Sequence, residues 1–173
     1  MYSMYYDEEV TALEAATYQS ISIANQSGKE TVSIIVINGD SPALQNKIAL
    51  ELQNLLPKNF MHINIYQKLM QYNTDAQLNT NDLSETLETI HQEIVSLAEN
   101  GNNLIISHNS IFASEQSNLY NSLKGFAPYW VDLEDKKKAH TYLNLHLNIN
   151  SLSVTQATFM IYNSLVTHLQ KTA

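Results

Sequence analysis

The sequence predicts an α/β protein, a three-layer sandwich in which a mostly parallel, roughly five-stranded sheet has helices on both faces. Strand-like and helix-like segments alternate along residues 31–173, as they do in repeated βα units. The first segment, Thr31 to Ile37, reads TVSIIVI. Such a β-branched run is typical of a strand that is covered on both faces, so we expect this strand at the centre of the sheet.

The first helix follows from apolar spacing. Asn38 to Leu44 is predicted as a turn, and the next apolar residues recur at intervals of four and three up to a stop at Pro57. These residues are Ile48, Leu52 and Leu55. The helix therefore directs one apolar face towards the sheet.

The second helix has the clearest boundaries. Asp82 and Glu85 resemble a capping box, an apolar stripe follows at helical spacing, and Gly101 is placed to end the helix. The other predicted elements are strands over Phe60 to Tyr66, Leu104 to Ser107 and Tyr129 to Leu133, a helix over Ser114 to Leu123 that Gly125 ends, and a last helix over Ser153 to Leu169.

The fifth strand, Tyr142 to Ile149, differs from the first because its apolar residues alternate with polar ones. This alternation predicts an edge strand with one face in solvent. The exposed side would offer a surface for protein contact, formed by Tyr142, Asn144, His146 and Asn148.

Residues 1–30 are predicted to be an appendage to the domain of residues 31–173. Asp7 opens an acidic stretch that favours a short helix, and the polar segment Asn25 to Lys29 is typical of a linker. Three tyrosines lie close together in the appendage. Because tyrosine is favoured at protein interfaces, we expect a protein partner to contact Tyr2, Tyr5 and Tyr6.

Composition excludes several functional classes. Seventeen acidic residues against nine basic ones give a charge of −8, and all nine basic residues are lysine, so we expect no nucleic-acid partner. The absence of cysteine excludes disulfides and thiolate sites. No apolar run approaches the roughly 20 residues of a membrane span, and the acidic amino terminus does not resemble a signal peptide. We expect a soluble, cytoplasmic protein, while composition leaves export without a signal peptide open.

The segment from Ile34 to Ala49 reads IIVINGDSPALQNKIA. A strand that runs into an Asn-Gly turn and then a helix resembles the phosphate-loop region of small P-loop kinases, most specifically the chloramphenicol phosphotransferase-like family. The resemblance extends over residues 31–170 through the order of the elements. It implies a P-loop-kinase-like domain, and the family pattern places a Gly-Lys-Ser phosphate loop after the first strand.

The loop departs from that pattern at each functional position. If the motif begins at Gly39, Leu44 stands in place of the second glycine, Gln45 in place of the lysine, and Asn46 in place of the magnesium-binding hydroxyl residue. Leucine obstructs the phosphate, glutamine carries no charge, and asparagine has no hydroxyl. The degenerate remnant consists of Gly39, Asp40, Ser41, Pro42, Ala43, Leu44, Gln45 and Asn46. We therefore expect no catalytic residue, no cofactor and no metal.

Other family positions also lack their charges. Acidic residues near the end of the third strand would fall at Ser107 and His108, and we interpret His108 as a loop or capping histidine. Lys47 is turned about 200° from the direction of the motif lysine and should point into solvent.

These features lead to a functional hypothesis: a catalytically inactive P-loop-kinase-like protein that works through protein contacts. One alternative is an unconventional phosphotransferase or nucleotide-binding protein that recruits Lys136 to Lys138. Another is a secreted bacterial effector-like protein.

Overall fold

Parallel strands form a single sheet in the computed structural model, which describes residues 32–56, 60–72, 80–109, 113–134 and 142–172. The spatial order is β2-β3-β1-β4-β5, and every pairing is parallel. The strands are β1 (Ile34–Gly39), β2 (Phe60–Asn64), β3 (Asn103–Asn109), β4 (Tyr129–Leu133) and β5 (Leu145–His146). The central position predicted for the first strand and the edge position predicted for the fifth are confirmed.

Helices cover both faces of this sheet and complete the three layers. They are α1 (Pro42–Leu55), α2 (Ile65–Tyr72), α3 (Thr80–Glu99), α4 (Ala113–Leu123) and α5 (Val154–Thr172), with short 3-10 turns at Lys124–Phe126 and Ile149–Ser151. One hydrophobic core lies between the sheet and the pair α1 and α5, and the other between the sheet and α2, α3 and α4. The predicted fold class is thus confirmed. In the described ranges, no helix combines the length and the apolar character that crossing a membrane requires.

The alternation of side chains along β1 explains its β-branched sequence. Ile35 and Ile37 lie in the core under α1 and α5, whereas Ile34 and Val36 lie in the opposite core. All four side chains are buried. Because a central parallel strand has no solvent face, it requires apolar residues at every position rather than at alternate ones.

The predicted turn from Asn38 to Leu44 is wrong. Strand β1 continues through Asn38 to Gly39, and α1 begins at Pro42, so only two residues connect strand and helix. Asn38 remains in the strand because its buried side chain finds hydrogen-bond partners on β3 and β4. Ser41 is the N-cap of α1, and Pro42, whose ring has the φ of a helix, takes the first helical position.

Other element ends also differ from the prediction. The predicted second strand is split, because the Asn64 side chain accepts a hydrogen bond from the Gln67 amide and starts α2 one residue later. The capping box at Asp82 is wrong, since α3 already begins at Thr80. Gly101, with φ of 83°, follows the end of α3 as predicted.

Helix α4 ends at Leu123 as predicted, and α5 begins at Val154, one residue later than predicted. Gly125 lies within a 3-10 turn, and the residue with positive φ that follows this turn is Ala127. The α5 helix begins with a capping box that the prediction missed. In it Ser153 and Gln156 exchange side-chain and backbone hydrogen bonds.

The fifth strand is shorter than predicted, and its expected exposed face is wrong at two positions. Tyr142 stacks on the Tyr120 ring with centroids 4.1 Å apart, and His146 bonds to a buried aspartate. The other two residues, Asn144 and Asn148, are exposed, and their side chains bind backbone amides. Asn144 accepts a hydrogen bond from the Trp130 amide, and Asn148 accepts one from the Asn150 amide. The physical reason is that parallel pairing places His146 beside Asp132, whereas Tyr142 precedes the paired residues and packs on Tyr120.

Candidate functional site

The carboxyl ends of the strands form the edge at which parallel α/β sheets bind ligands. The connection between β1 and α1 lies at this edge, next to the ends of β3 and β4. The remnant predicted from the sequence, Gly39 to Asn46, therefore lies where a phosphate loop would lie. One buried side chain of the remnant bonds to the ends of two strands.

Gln45 is that side chain, with an exposed fraction of only 2%. Its Nε2 donates to the carbonyl oxygen of Gly39 at 2.8 Å and to the carbonyl oxygen of His108 at 2.7 Å. A primary amide has two N–H donors, so both are used within the protein. The Gln45 amide thus connects the ends of β1 and β3 and fills the space between them.

Gly39 is required by packing in this arrangement. A Cβ atom added there would lie 3.0 Å from the carbonyl oxygen of Leu133, 3.2 Å from the Leu133 Cβ and 3.3 Å from the Gln45 Nε2. Glycine therefore permits the close approach of β4 and of the Gln45 amide. Gly39, which marks the start of the motif in the sequence, therefore makes a contact within the protein.

The backbone amides in the first turn of α1 donate hydrogen bonds mainly to Ser41. Pro42 has no N–H, the Leu44 amide donates to the Ser41 Oγ, and the Gln45 amide donates to the Ser41 carbonyl oxygen. Leu44 packs against the core under α1. Ala43 and Lys47 are exposed, as expected for Lys47.

Asn46 and Asp40 complete the remnant. The Asn46 Oδ1 accepts a weak hydrogen bond from the Asn64 Nδ2 at 3.4 Å, so this side chain contacts the end of β2. Asp40 is exposed in the two-residue connection and places a carboxylate beside the start of α1. A negative charge there would repel a bound phosphate.

A second feature of this edge is a row of four polar side chains at one register position. His108, Asn38, Asp132 and His146 lie side by side on β3, β1, β4 and β5. The Asn38 Nδ2 donates to the Asp132 Oδ1 at 3.0 Å, so the Asn38 Oδ1 is the acceptor for the His108 Nδ1 at 3.1 Å. The His146 Nδ1 lies 3.1 Å from the Asp132 Oδ2.

Asn38 and Asp132 were not predicted from the sequence as members of this row. The available signal was a polar residue near the end of each apolar strand, IIVIN and YWVD. Parallel pairing places such residues side by side, but the register is set by tertiary structure. His108 is a buried strand residue, so its interpretation as a loop histidine is wrong.

Two histidines at this edge, His108 and His62, have pKa values that burial lowers. Burial lowers the pKa of His108 to about 4, with a smaller contribution from His91. Burial also lowers the pKa of His62, whose Nε2 lies 2.9 Å from the Ser107 Oγ. Neither Ser107 nor His108 therefore presents a negative charge to a magnesium ion. No set of three or more metal-ligating side chains is found among the residues that the structure describes.

A small apolar cleft adjoins His108 beneath α2 and α3. Its volume is about 20 Å³, which is room for about one water molecule. Its walls include Ile65, Leu69 and Leu87. The cleft in this conformation is too small for a nucleotide or a sugar.

Several residues that the sequence analysis singled out lie outside the described residues. These are Tyr2, Tyr5 and Tyr6 of the appendage, and Lys136 to Lys138 after β4. Their roles stay predictions.

No protein-family model matches the chain, and no curated protein matches it. Solved structures do match. A mutant of the Mycobacterium tuberculosis APS kinase has 14% sequence identity and a TM-score of 0.62, over 78% of this chain and 97% of that one. The tunicamycin resistance protein of Deinococcus radiodurans has 13% identity and a TM-score of 0.58, over 78% and 95%.

A gluconokinase from Sinorhizobium meliloti is also similar, with 12% identity and a TM-score of 0.56 over 83% of this chain and 96% of that one. The structural neighbours are P-loop kinases and proteins with a kinase-like fold. The chain therefore has a P-loop-kinase-like α/β fold. At these identities the likeness concerns the fold alone.

Proposed function

We propose that this protein is a P-loop-kinase-like pseudoenzyme whose phosphate site is closed by its own Gln45 side chain, and that it acts through contacts with another protein. The observation that carries the proposal is the pair of hydrogen bonds from the Gln45 Nε2 to the carbonyl oxygens of Gly39 and His108. In a phosphate loop the corresponding lysine reaches towards the phosphates. Here the side chain at that position is directed into the protein.

The short connection between β1 and α1 supports the same conclusion. A phosphate loop holds its anion with several backbone N–H groups that converge on an open cradle. Only Asp40 and Ser41 lie between strand and helix here, and the amides of Leu44 and Gln45 are bonded to Ser41. Few backbone donors are left to receive a phosphate.

The charges at this edge also oppose phosphoryl transfer, which depends on cations around the transferring group. The chain has no arginine. In the described part of the chain, the buried row contains the Asp132 carboxylate, while the nearby Lys47 is exposed and lies two positions past the motif lysine. Among the residues that the structure describes at this edge, a nucleoside triphosphate would thus meet the carboxylates of Asp40 and Asp132.

We expect the full-length protein to give no saturable heat when it is titrated with ATP or GTP, with or without magnesium, and no rise in Tm under the same conditions. Occupancy at a hundred times the dissociation constant would add about 2.7 kcal/mol to the free energy of unfolding and would shift the melt by several degrees. A saturable isotherm accompanied by such a shift would contradict the closed phosphate site.

The second candidate function is nucleotide binding through an unconventional site. It is favoured by topology, because Lys136 to Lys138 follow β4 in the chain and β4 ends at the edge where α1 begins. If the wild-type protein binds nucleotide in the titration and the Lys136→Ala, Lys137→Ala, Lys138→Ala triple variant does not, this candidate replaces the first.

The protein-contact part of the proposal has its own test. Deletion of residues 1–28 is expected to leave the Tm of the domain within about 2 °C, a change of less than 1 kcal/mol, because the sequence predicts residues 1–30 to be an appendage to the domain. The deletion should abolish any complex that the full-length protein forms, and a Tyr2→Ser, Tyr5→Ser, Tyr6→Ser variant should weaken the same complex. A deletion variant that fails to fold would make the appendage a structural element instead.

A further inference from the structure

Two Asn-Gly pairs occur in the chain, Asn38-Gly39 and Asn100-Gly101. Asparagine is thermally labile before glycine, because its side-chain carbonyl carbon can bond to the next backbone nitrogen and glycine has no Cβ to hinder the ring. The first pair ends strand β1, and the second follows helix α3. The fold therefore places the same reactive dipeptide in two different environments.

The Asn38-Gly39 pair is held in the sheet. Asn38 is 1% exposed, its Nδ2 donates to the Asp132 Oδ1, and its Oδ1 is the acceptor for the His108 Nδ1. Gly39 lies so close to β4 that an added Cβ atom would be 3.0 Å from the Leu133 carbonyl oxygen. Because the Asn38 side chain must rotate towards the Gly39 nitrogen to form the ring, this pair can react only when the sheet opens.

The Asn100-Gly101 pair is exposed to solvent after α3. A Cβ atom added to Gly101 would have no atom within 4 Å outside the adjacent residues. The Asn100 Nδ2 and the Asn100 amide donate to the Ser96 carbonyl oxygen at 2.8 and 3.1 Å, and the Gly101 amide donates to the Ala98 carbonyl oxygen at 3.0 Å. These bonds lie at the end of the helix, where helices fray. Local opening of one turn therefore frees this pair to react.

The same pair caps α3 through its backbone. Gly101 has φ of 83°, and its amide bonds to the Ala98 carbonyl oxygen. The Asn102 amide donates to the Leu97 carbonyl oxygen at 3.2 Å. Together these are the two bonds of a Schellman motif, in which glycine takes the left-handed position after the helix. Asn100 joins the helix to this motif, so a change in its backbone alters the cap.

We propose that Asn100 is a site of spontaneous deamidation and that the reaction removes the cap of α3, whereas the fold protects Asn38. Hydroxide takes the proton of the Gly101 amide, and the nitrogen attacks the Asn100 Cγ. The bond from Cγ to the side-chain nitrogen breaks, and that nitrogen takes a proton from water and leaves as ammonia. Water then opens the cyclic imide: attack at Cγ gives aspartate, and attack at the backbone carbonyl carbon gives isoaspartate, in which the main chain runs through Cγ.

Both products disturb the end of α3. Aspartate adds a negative charge next to Glu99 at the carboxyl end of the helix, where the helix dipole favours positive charge. Isoaspartate inserts an extra carbon into the main chain before Gly101. This insertion moves the two donor amides of the Schellman motif out of register with their acceptor carbonyl groups. The reaction is therefore expected to uncap α3 where the chain enters the connection to β3.

The test follows both pairs in the full-length protein during incubation in mildly alkaline buffer. Trypsin separates the pairs, because Lys47, Lys58 and Lys68 lie between them. Mass spectrometry measures the conversion of amide to acid in each peptide, and labelling by an isoaspartyl methyltransferase identifies isoaspartate. We expect Asn100 to be converted at least about tenfold faster than Asn38 in the folded protein. In concentrated urea the two rates should agree to within about threefold, because the protection by the sheet is lost.

Variants assign the reaction and its effect on stability. Asn100→Gln keeps a side-chain amide but requires a larger ring that forms slowly, so its Tm should not change during the incubation. The Tm of the wild-type protein should fall by about 2–4 °C as Asn100 is consumed, the size expected for the loss of a helix cap. Asn100→Asp introduces the charge without the extra main-chain carbon and should lower the Tm by less.

Two results would overturn the proposal. The first is conversion of Asn100 in the folded protein that is no faster than that of Asn38, which would show that the end of α3 protects its Asn-Gly pair as well as the sheet does. The second is an unchanged Tm after full conversion of Asn100, which would show that the helix does not depend on this cap.

Discussion

Replacement of Gln45 by Glu is expected to destabilise the protein by about 4 kcal/mol or more, a loss that few single substitutions cause. The wild-type amide donates two buried hydrogen bonds, to the carbonyl oxygens of Gly39 and His108. A carboxylate of the same shape would instead place its oxygens against those two acceptors, in a site that water does not reach. The free energy of unfolding is measured by urea denaturation, with the single tryptophan, Trp130, as a fluorescent probe.

Two further variants give this experiment its controls. Gln45→Ala removes the donors without adding a charge and should cost about 2–4 kcal/mol. Gln53→Glu makes the same chemical change on the same helix, where the half-buried Gln53 Nε2 donates a single hydrogen bond to Phe60, and should cost about 1 kcal/mol. If Gln45→Glu costs no more than Gln53→Glu, the Gln45 side chain is not held between the strands, and the closed phosphate site loses its main support.

Acidification from pH 6.5 to pH 4 is expected to remove about 3 kcal/mol of stability through His108 alone. The unfolded histidine binds a proton near its ordinary pKa of 6.5, whereas burial lowers the folded pKa to about 4. Between these two values the unfolded state binds more protons, so the free energy of unfolding falls as the pH falls. The pKa values of His62 and His91 are lowered in the same direction and add to the effect.

The contribution of His108 is isolated by comparing pH profiles of stability. His108→Gln removes the titrating group but keeps an N–H donor for Asn38, so its profile between pH 6.5 and pH 4 should be flatter than that of the wild type. Carboxylates titrate in both proteins and cancel in the difference. Equal slopes for wild type and His108→Gln would contradict the burial of a neutral imidazole.

The fold could be predicted from the sequence because its signals are local. The run of β-branched residues in β1 marks a strand that is buried on both faces, and the spacing of Ile48 and Leu52 marks the buried face of α1. The ends of the helices and strands were predicted less accurately than their order along the chain. Asn38 has a low strand propensity and predicts a turn, but its tertiary hydrogen bonds keep it in β1.

The candidate site could be predicted only in part. The position of the remnant follows from the order of strand, Asn-Gly and helix, because a parallel sheet places that junction at its ligand-binding edge. The internal bonding of Gln45 could not be predicted, since its partner His108 comes from a strand 63 residues later. The burial of His91 on α3 likewise depends on tertiary packing, which periodicity does not reveal.

The central position of β1 has a consequence for the synthesis of the chain. Asn38 meets its neighbours on β3 and β4 across 70 and 94 residues of sequence, so β1 is made first among the strands but completes its pairing only after β4 has been made. At the usual rates of translation, the ribosome adds those 94 residues in about 5 to 20 s. During that interval the IIVI segment of β1 lacks the β4 strand that covers one of its edges. Until β4 has emerged, the cell must therefore protect this nascent segment against aggregation.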